Sequence, residues 1–157
     1  YQEQFMLVAD EKNIEDLTRK LMRIGLDNVY GYISDPAETG LELDTVQNIH
    51  FQEFKTCIGT DDVQIVDLRG ETEFRENHVI GADHVFVGTL QENLHKISRD
   101  KQVVIHCQAG DRSSIAYSLL KRNGFTNVKN YPGGMKEMVT QKLEALSATK
   151  AASPVSA

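Results

Sequence analysis

The sequence predicts an α/β fold with a mainly parallel sheet and helices on both faces. Short apolar runs typical of strands alternate with segments whose apolar residues recur every three or four positions, as in helices. Strands separated by helices need crossover connections, which produce parallel pairing, and parallel sheets are usually covered on both faces. The content of 40% hydrophobic and 25% charged residues is that of a chain that folds.

The first part of the chain predicts a strand at residues 5–9, a helix over residues 14–24 and a strand at residues 29–33. Gly25 follows the helical segment, where a left-handed residue commonly ends a helix. Residues 34–45 contain proline, glycine and acidic residues without periodicity, so they predict a linker.

A second domain is predicted over residues 46–146. Its predicted strands cover residues 63–68, 83–87, 103–107 and 128–131. Its predicted helices cover residues 50–57, 71–77, 90–97, 113–123 and 135–146. Residues 147–157, rich in alanine and serine, are expected to form a flexible tail.

Charge and composition exclude several kinds of partner. The net charge of -6 and the pI of about 5.3 argue against nucleic acid and anionic membranes. Two cysteines cannot form a disulfide framework, which favours a reducing, cytoplasmic location. No apolar run approaches the ~20 residues of a membrane-spanning helix. The histidines lack metal-binding spacing, so neither metal nor cofactor is predicted for this chain.

A weak internal repeat relates the two parts of the chain. Residues 23–32 match residues 122–131 at five of ten positions, and the same shift places Val8 on Cys107 and Asn13 on Arg112. Residues 1–33 are therefore expected to be the second half of a degenerate domain whose first half is missing, and chance similarity is the alternative.

The candidate active loop joins the predicted strand 103–107 to the predicted helix 113–123. It comprises Cys107, Gln108, Ala109, Gly110, Asp111, Arg112 and Ser113. Ligands of α/β sheets bind at the carboxyl ends of the strands, which places Cys107 where it can react. Gly110 permits backbone dihedrals that turn successive N–H groups inward as an anion-binding nest, and the following helix adds its positive end. A buried structural cysteine is the alternative.

A reactive Cys107 requires a lowered pKa. A cysteine with a pKa of about 8.5 is only ~3% thiolate at pH 7, and a helix terminus alone supplies ~0.3 to 1 kcal/mol. Loop amides and Arg112 are therefore expected to share the stabilisation. His106 precedes Cys107 on the strand and should point to the opposite face, so we interpret it as a packed histidine rather than a base.

This part of the chain resembles the rhodanese-like sulfurtransferases. The matching segments beyond the loop are Asp67-Leu68-Arg69, Glu73-Phe74, His78-Val79, Gly81-Ala82, Gly124-Phe125 and Gly133-Gly134. The resemblance implies that Cys107 takes a sulfane sulfur from thiosulfate or a low-molecular-weight persulfide, holds it as a persulfide, and passes it to sulfite, a thiol or cyanide. Residues 108–113 and Arg69 are the expected substrate-binding groups, although Arg69 with Asp67 is also typical of a structural ion pair.

Two other functions stay open. Related phosphatases have five residues between cysteine and arginine, whereas this loop has four, which disfavours a phosphatase or arsenate reductase. Asp111 should also repel a phosphate dianion and weaken the preference for thiosulfate relative to a persulfide. The other alternative is a non-catalytic docking module. For Cys57, a packed thiol is expected before a resolving cysteine.

A degenerate rhodanese-like unit ahead of an active one also resembles part of a known fusion. In these proteins, which include bacterial persulfide dioxygenases, the first domain has the metallo-β-lactamase fold. The resemblance implies such an iron-containing domain as an N-terminal partner in the full-length chain.

Overall fold

A computed structural model describes residues 3–147, and the chain divides between Thr45 and Val46 into two compact units. The first unit contains β1 (Phe5–Val8), α1 (Glu11–Met22) and β2 (Val29–Ile33). The two strands pair in parallel, which the helical crossover between them permits.

The predicted linker includes a short 3-10 helix, Pro36–Thr39, whose start is capped by the Asp35 side chain. The Asp35 carboxylate accepts the Ala37 N–H at 2.8 Å, and Pro36 supplies a suitable backbone angle at the first position.

The strands of the second unit are β3 (Val63–Asp67), β4 (His78–Val79), β5 (Asp83–His84), β6 (Gln102–His106), β7 (Val128–Tyr131) and β8 (Leu146–Ser147). Four of them form a parallel sheet with the order β5-β3-β6-β7. The helices of this unit are α2 (Phe51–Cys57), α3 (Glu71–Glu76), α4 (Asp111–Arg122) and α5 (Gly134–Thr140), with a 3-10 segment at Val87–Lys96. Strands β4 and β8 form a separate antiparallel pair.

Alternate residues of the central strands enter two different apolar clusters. Ile105 of β6 packs with residues of α4, including Ala116 and Leu120. Val104 packs on the other face with residues of α2 and α5, including Phe54. The predicted α/β fold, with a mainly parallel sheet and helices on both faces, is confirmed.

The carboxyl ends of three neighbouring strands lie at one edge of the sheet. Asp67 of β3 is in register with His106 of β6, and His106 is in register with Tyr131 of β7. The segments that follow these strands therefore start side by side, as expected for the ligand-binding edge of an α/β sheet.

The predicted helix over residues 135–146 is too long, because α5 ends at Thr140. Lys142 has a left-handed φ of 52°, and its N–H bonds to the Val139 carbonyl at 3.1 Å. The Leu143 N–H bonds to the Met138 carbonyl at 2.9 Å, which completes a Schellman motif. Because glycine usually occupies such a position, the lysine in the sequence did not indicate that the helix ends here.

Three other boundaries also differ from the prediction. Strand β5 covers Asp83–His84 rather than residues 83–87, and the 3-10 segment replaces the helix predicted at residues 90–97. Ser147, predicted to begin the tail, pairs with His78 in the β4–β8 ladder. The remaining tail, residues 148–157, lies outside the described residues.

Within residues 3–147, no helix is long and apolar enough to cross a membrane.

Candidate active site

The loop Cys107–Gly110 joins the end of β6 to the start of α4 and curls around one sulfur atom. Gly110 has a φ of +99°, a left-handed conformation that side chains disfavour. A Cβ atom there would lie 3.0 Å from the Pro132 carbonyl oxygen, so glycine is required for its conformation and for its close approach. This turn aims the backbone N–H groups of the loop at Cys107.

The Sγ atom of Cys107 lies among hydrogen-bond donors. The Gly110 N–H donates to Sγ with an N–S distance of 3.2 Å, and the backbone N–H groups of Ser113 and Ala109 also interact with it. The Ser113 Oγ lies 3.7 Å from Sγ and donates to the Gly110 carbonyl at 3.0 Å. The backbone therefore supplies most of the polar contacts to the sulfur.

These donors shift the ionisation of the thiol. Burial raises the pKa of Cys107, but its hydrogen bonds with the Ser113 backbone and side chain and with the Ala109 and Gly110 amides outweigh burial, so that the pKa is lowered. Hydrogen bonds to the charged form favour that form. The site can therefore hold negative charge on sulfur without a general base.

The thiol is nevertheless nearly covered, with Cys107 only 1% exposed. Gln108 and Ala109, next in the loop, are exposed, and so is Asp111 in the first turn of α4. The loop therefore presents an exposed rim above a sulfur that lies on its floor.

Arg112 forms an ion pair that the sequence did not predict. Its guanidinium donates to both carboxylate oxygens of Glu73, at 2.6 and 2.8 Å. Glu73 also accepts the Gly70 N–H at 3.0 Å. Glu73, and more weakly Cys107, raise the pKa of Arg112. Arg112 thus interacts with the sulfur while its charge is paired with Glu73, and its role in stabilising the thiolate stays a prediction. Glu73 was recognised only as part of a family segment, because its partner is 39 residues away.

Helix α5 closes the loop from the other side. The Met135 N–H donates to the Cys107 carbonyl at 2.9 Å, and the Lys136 N–H donates to the Gln108 carbonyl at 3.0 Å. A Cβ atom on Gly134 would lie 2.5 Å from the Cys107 carbonyl oxygen. Gly134 thus permits the close contact that fixes the outer side of the loop.

Arg69, predicted as a substrate-binding residue, lies in a buried network. Its guanidinium donates to the Asp67 carboxylate at 2.7 Å and to the Asn77 carbonyl at 2.6 Å, and Arg69 is 2% exposed. These contacts are those of a structural ion pair, in which the buried Arg69 charge is balanced by Asp67. A direct role for Arg69 in substrate binding stays a prediction.

The His106 ring lies on the other face of the sheet from the Cys107 thiol, and its Nδ1 lies 3.3 Å from the Cys107 carbonyl oxygen. His106 is fully buried, and its ring packs edge-on against Phe54 with centroids 5.9 Å apart. Burial lowers the pKa of His106 and outweighs the opposing effect of the Asp67 charge. The lowered pKa favours the neutral imidazole. These contacts are those of a packed histidine.

Cys57 is a separate thiol on α2. Its Sγ donates to the Glu53 carbonyl at 3.4 Å, and burial, followed by the Glu53 charge, raises the pKa of Cys57.

Across residues 3–147 there is no group of three or more histidine, cysteine, aspartate or glutamate side chains placed to hold a metal ion.

A cavity of about 520 Å³ adjoins the loop between α3 and α5. Gln108 contributes the loop side of this cavity, and Glu73 and Glu76 line it from α3. Lys136 and Val139 line it from α5. A second cavity of about 410 Å³ contains none of the predicted site residues and is lined by Phe51, Lys55, Ile58 and residues 141–145.

Comparisons with known proteins agree with the geometry. A family model described as a rhodanese-like domain matches residues 50–141, more than half of the 157 residues. The chain is 34% identical over 86 residues to the uncharacterised protein YqhL of Bacillus subtilis, covering 55% of this chain and 67% of that protein. It is 31% identical over 75 residues to the thiosulfate sulfurtransferase GlpE of Coxiella burnetii, covering 48% of this chain and 70% of that protein.

The fold has solved relatives as well. The crystal structure of a rhodanese-like domain protein from Staphylococcus aureus is 27% identical with a TM-score of 0.57, covering 66% of this chain and 98% of that one. Several other curated relatives are longer, and the chain covers between 33% and 51% of their length. The family match, together with the cysteine loop at the sheet edge, shows that the chain belongs to the rhodanese-like domain family.

Proposed function

We propose that this chain is a sulfurtransferase that carries a sulfane sulfur as a persulfide on Cys107. The observation that supports this most directly is the arrangement of donors around Sγ, with the Gly110 N–H at 3.2 Å and further amides of the loop and of α4. A loop of four residues between Cys107 and Arg112 surrounds one sulfur closely. The sulfurtransferase GlpE is a relative with that activity in its name.

In the first half of the reaction, the Cys107 thiolate attacks the outer sulfur of the donor. A bond forms between Sγ and that sulfur, and the donor's own sulfur bond breaks. With thiosulfate the leaving group is sulfite, and with an organic persulfide it is a thiolate. The electron pair of the broken bond leaves with this group, so no oxidant, reductant or base is needed.

In the second half, an acceptor attacks the outer sulfur of the Cys107 persulfide and restores the thiolate. Sulfite would give thiosulfate, a thiol would give a persulfide, and cyanide would give thiocyanate. The amides around Sγ stabilise negative charge on the enzyme sulfur in both halves, because they are oriented before the donor arrives.

Intact-mass measurement tests this proposal. Incubation with thiosulfate or an organic persulfide should add about 32 Da, the mass of one sulfur atom, and a thiophilic acceptor should remove it. The Cys107→Ser variant should show no adduct, whereas Cys57→Ser, the matched control, should retain it. An adduct that persists in Cys107→Ser, or no adduct with any donor, would refute the assignment.

The burial of Cys107 favours one second candidate. A thiol that is 1% exposed is accessible to a donor only if the rim residues move, whereas a non-catalytic docking module has no such requirement. The docking module predicts no sulfur adduct and an ordinary thiol pKa near about 8.5. The mass experiment therefore separates the two functions.

Two wider expectations belong to the same proposal. A cytoplasmic location would keep Cys107 reduced and available for sulfur. The repeat in residues 1–33 supports an N-terminal metallo-β-lactamase-fold domain as a partner in the full-length gene product. Sequencing the gene upstream of the Tyr1 codon tests that partner, and an unrelated upstream domain would refute it.

A further inference from the structure

The cation of the candidate active loop is already paired with a carboxylate. Both oxygens of Glu73 accept hydrogen bonds from Arg112, at 2.6 and 2.8 Å. The Arg112 hydrogen bond, together with the Gly70 amide and against the effect of burial, lowers the pKa of Glu73 to about 2. Glu73 is therefore ionised at neutral pH, and an incoming donor meets an ion pair instead of a positive charge.

The remaining charges near the loop do not replace that cation, because Lys136 on the wall of the adjoining cavity is outnumbered by Glu76 and Asp111. Asp111 adds an exposed carboxylate at the first position of α4, and Cys107 reacts as an anion. Thiosulfate carries two negative charges close to its transferable sulfur, whereas an organic persulfide carries one. Backbone N–H groups can bind either sulfur compound, but the negative potential of the Asp111 carboxylate and the Cys107 thiolate makes the second charge of thiosulfate unfavourable.

The cavity between α3 and α5 provides space that a small inorganic donor does not use. Its volume of about 520 Å³ greatly exceeds the ~30 Å³ occupied by one water molecule in the liquid. Its wall carries charges of both signs, Glu73 and Glu76 on one hand and Arg69 and Lys136 on the other, and Val139, 51% exposed, adds an apolar surface. Gln108 connects this cavity to the loop that contains Cys107.

We propose that this cavity binds the organic part of a persulfide donor, and that Glu73, on its wall, disfavours dianionic donors by neutralising Arg112. This inference rests on the proposed sulfur transfer through Cys107. In the reaction, the bond between the two donor sulfurs breaks, the outer sulfur joins Sγ, and the organic thiolate leaves from the cavity. Glu73 is a specificity-determining residue that acts through Arg112.

Three donors separate charge from size. The persulfide of N-acetylcysteine methyl ester is organic with one charge, hydrodisulfide is small with one charge, and thiosulfate is small with two. We would measure kcat/KM for each donor with one fixed thiol acceptor. The charge part of the proposal concerns the ratio of thiosulfate to hydrodisulfide, and the size part concerns the ratio of organic persulfide to hydrodisulfide.

The Glu73→Gln variant tests the charge part. It retains an oxygen for the Gly70 amide but frees the positive charge of Arg112. A unit charge about 7 Å from the extra donor charge, at an effective dielectric of about 50, should raise the ratio of thiosulfate to hydrodisulfide about fivefold. Glu71→Gln is the matched control, because it removes the same charge from α3 but its partner is Arg75. Equal ratios in the two variants would overturn the charge part.

Two measurements keep this test independent of any folding defect. The double variant Glu73→Gln/Arg112→Gln has no unbalanced charge at the pair, so its donor ratio should return towards that of the wild type. In the wild type, added salt should raise kcat/KM for thiosulfate more than for hydrodisulfide, because salt screens repulsion. A salt response of the opposite sign would overturn the proposal without any variant.

The Val139→Trp variant tests the size part. Val139 lies on the cavity wall and is exposed, so a larger side chain fills the cavity without disturbing the core. The ratio of organic persulfide to hydrodisulfide should fall at least fivefold, whereas Ile80→Trp, at a residue that is 55% exposed and does not line this cavity, should leave it near the wild-type value. An unchanged ratio in Val139→Trp would show that the organic group binds elsewhere.

The outcomes separate this inference from the function on which it rests. A sulfur adduct on Cys107 with unchanged donor ratios in Glu73→Gln and Val139→Trp would overturn the inference and leave the sulfur transfer intact. The absence of an adduct with all three donors would refute the sulfur transfer itself.

Discussion

Replacing Gly134 with alanine should loosen the contact between α5 and the candidate active loop. Gly134 has a φ of +57°, and an added Cβ atom would lie 2.5 Å from the Cys107 carbonyl oxygen and 2.7 Å from that of Gln108. Both oxygens belong to the backbone, so they cannot rotate away as a side chain could. They also accept the Met135 and Lys136 amides, and these hydrogen bonds must lengthen if the loop moves.

The cost can be divided into two parts. Alanine in the left-handed region costs about 1–2 kcal/mol, and overpacking against fixed atoms costs about 1–3 kcal/mol more. The free energy of unfolding should therefore fall by about 2–5 kcal/mol. Gly59→Ala is the matched control, because Gly59 has a φ of +74° but no heavy atom within 4 Å of the added Cβ. That variant should lose only the conformational part, about 1–2 kcal/mol.

Urea unfolding followed by far-ultraviolet circular dichroism measures both losses, since the chain contains no tryptophan for fluorescence. Sulfur loading of Cys107 by intact mass, measured against time, reports whether the loop has moved. We expect slower loading in Gly134→Ala and unchanged loading in Gly59→Ala. Equal losses of stability in the two variants would refute the argument that this glycine is required by its contact with the loop.

Two further predictions concern ionisation and the buried ion pair. The pKa of Cys107 is lowered, since amide hydrogen bonds outweigh its burial, whereas burial raises the pKa of Cys57. Because only the thiolate reacts, the alkylation rate of Cys107, measured in Cys57→Ser, should reach its half-maximum at lower pH than that of Cys57 in Cys107→Ser. If the two alkylation midpoints coincided or were reversed, the amides around Sγ would not stabilise the Cys107 thiolate as argued. Asp67→Asn should cost about 3–5 kcal/mol in urea unfolding, because it leaves the buried Arg69 charge unpaired. The double variant Asp67→Asn/Arg69→Met should recover most of this loss, and no recovery would contradict a structural ion pair.

Local pattern was sufficient to predict the sheet and the loop. The strand from Gln102 to His106 was predicted within one residue, because a continuous apolar run bounded by polar residues is typical of a buried parallel strand. The left-handed Gly110 was also expected, since a tight turn between strand and helix needs that conformation. These features depend on a few adjacent residues, which a single sequence displays directly.

The contacts that complete the site depend on residues distant in sequence. Arg112 was expected to stabilise the thiolate, but its geometry is set by Glu73 on another helix, and no local pattern reports that pairing. The early end of α5 was missed for a different reason: Lys142 adopts a left-handed conformation that usually requires glycine. Tertiary packing decided both features.

The first unit shows why loop length matters more than the arrangement of the elements. It contains a strand, a helix and a second parallel strand in the same order as β6, α4 and β7. However, β1 ends at Val8 and α1 begins at Glu11, so two residues connect them, whereas four residues connect β6 to α4. In the second unit, the donors to Sγ come from Ala109, Gly110 and Ser113, and the first two of these belong to the connection itself.

A connection of two residues cannot place such donors around a side chain at the end of the strand. The chain must enter the helix at once, and helical N–H groups after the first turn bond to carbonyls within the helix. The capacity to hold a charged sulfur therefore depends on the non-helical backbone of residues 107–110 and on the left-handed Gly110 that turns its amides inward. A cysteine alone, at the matching place in the first unit, would lack the amides that lower its pKa.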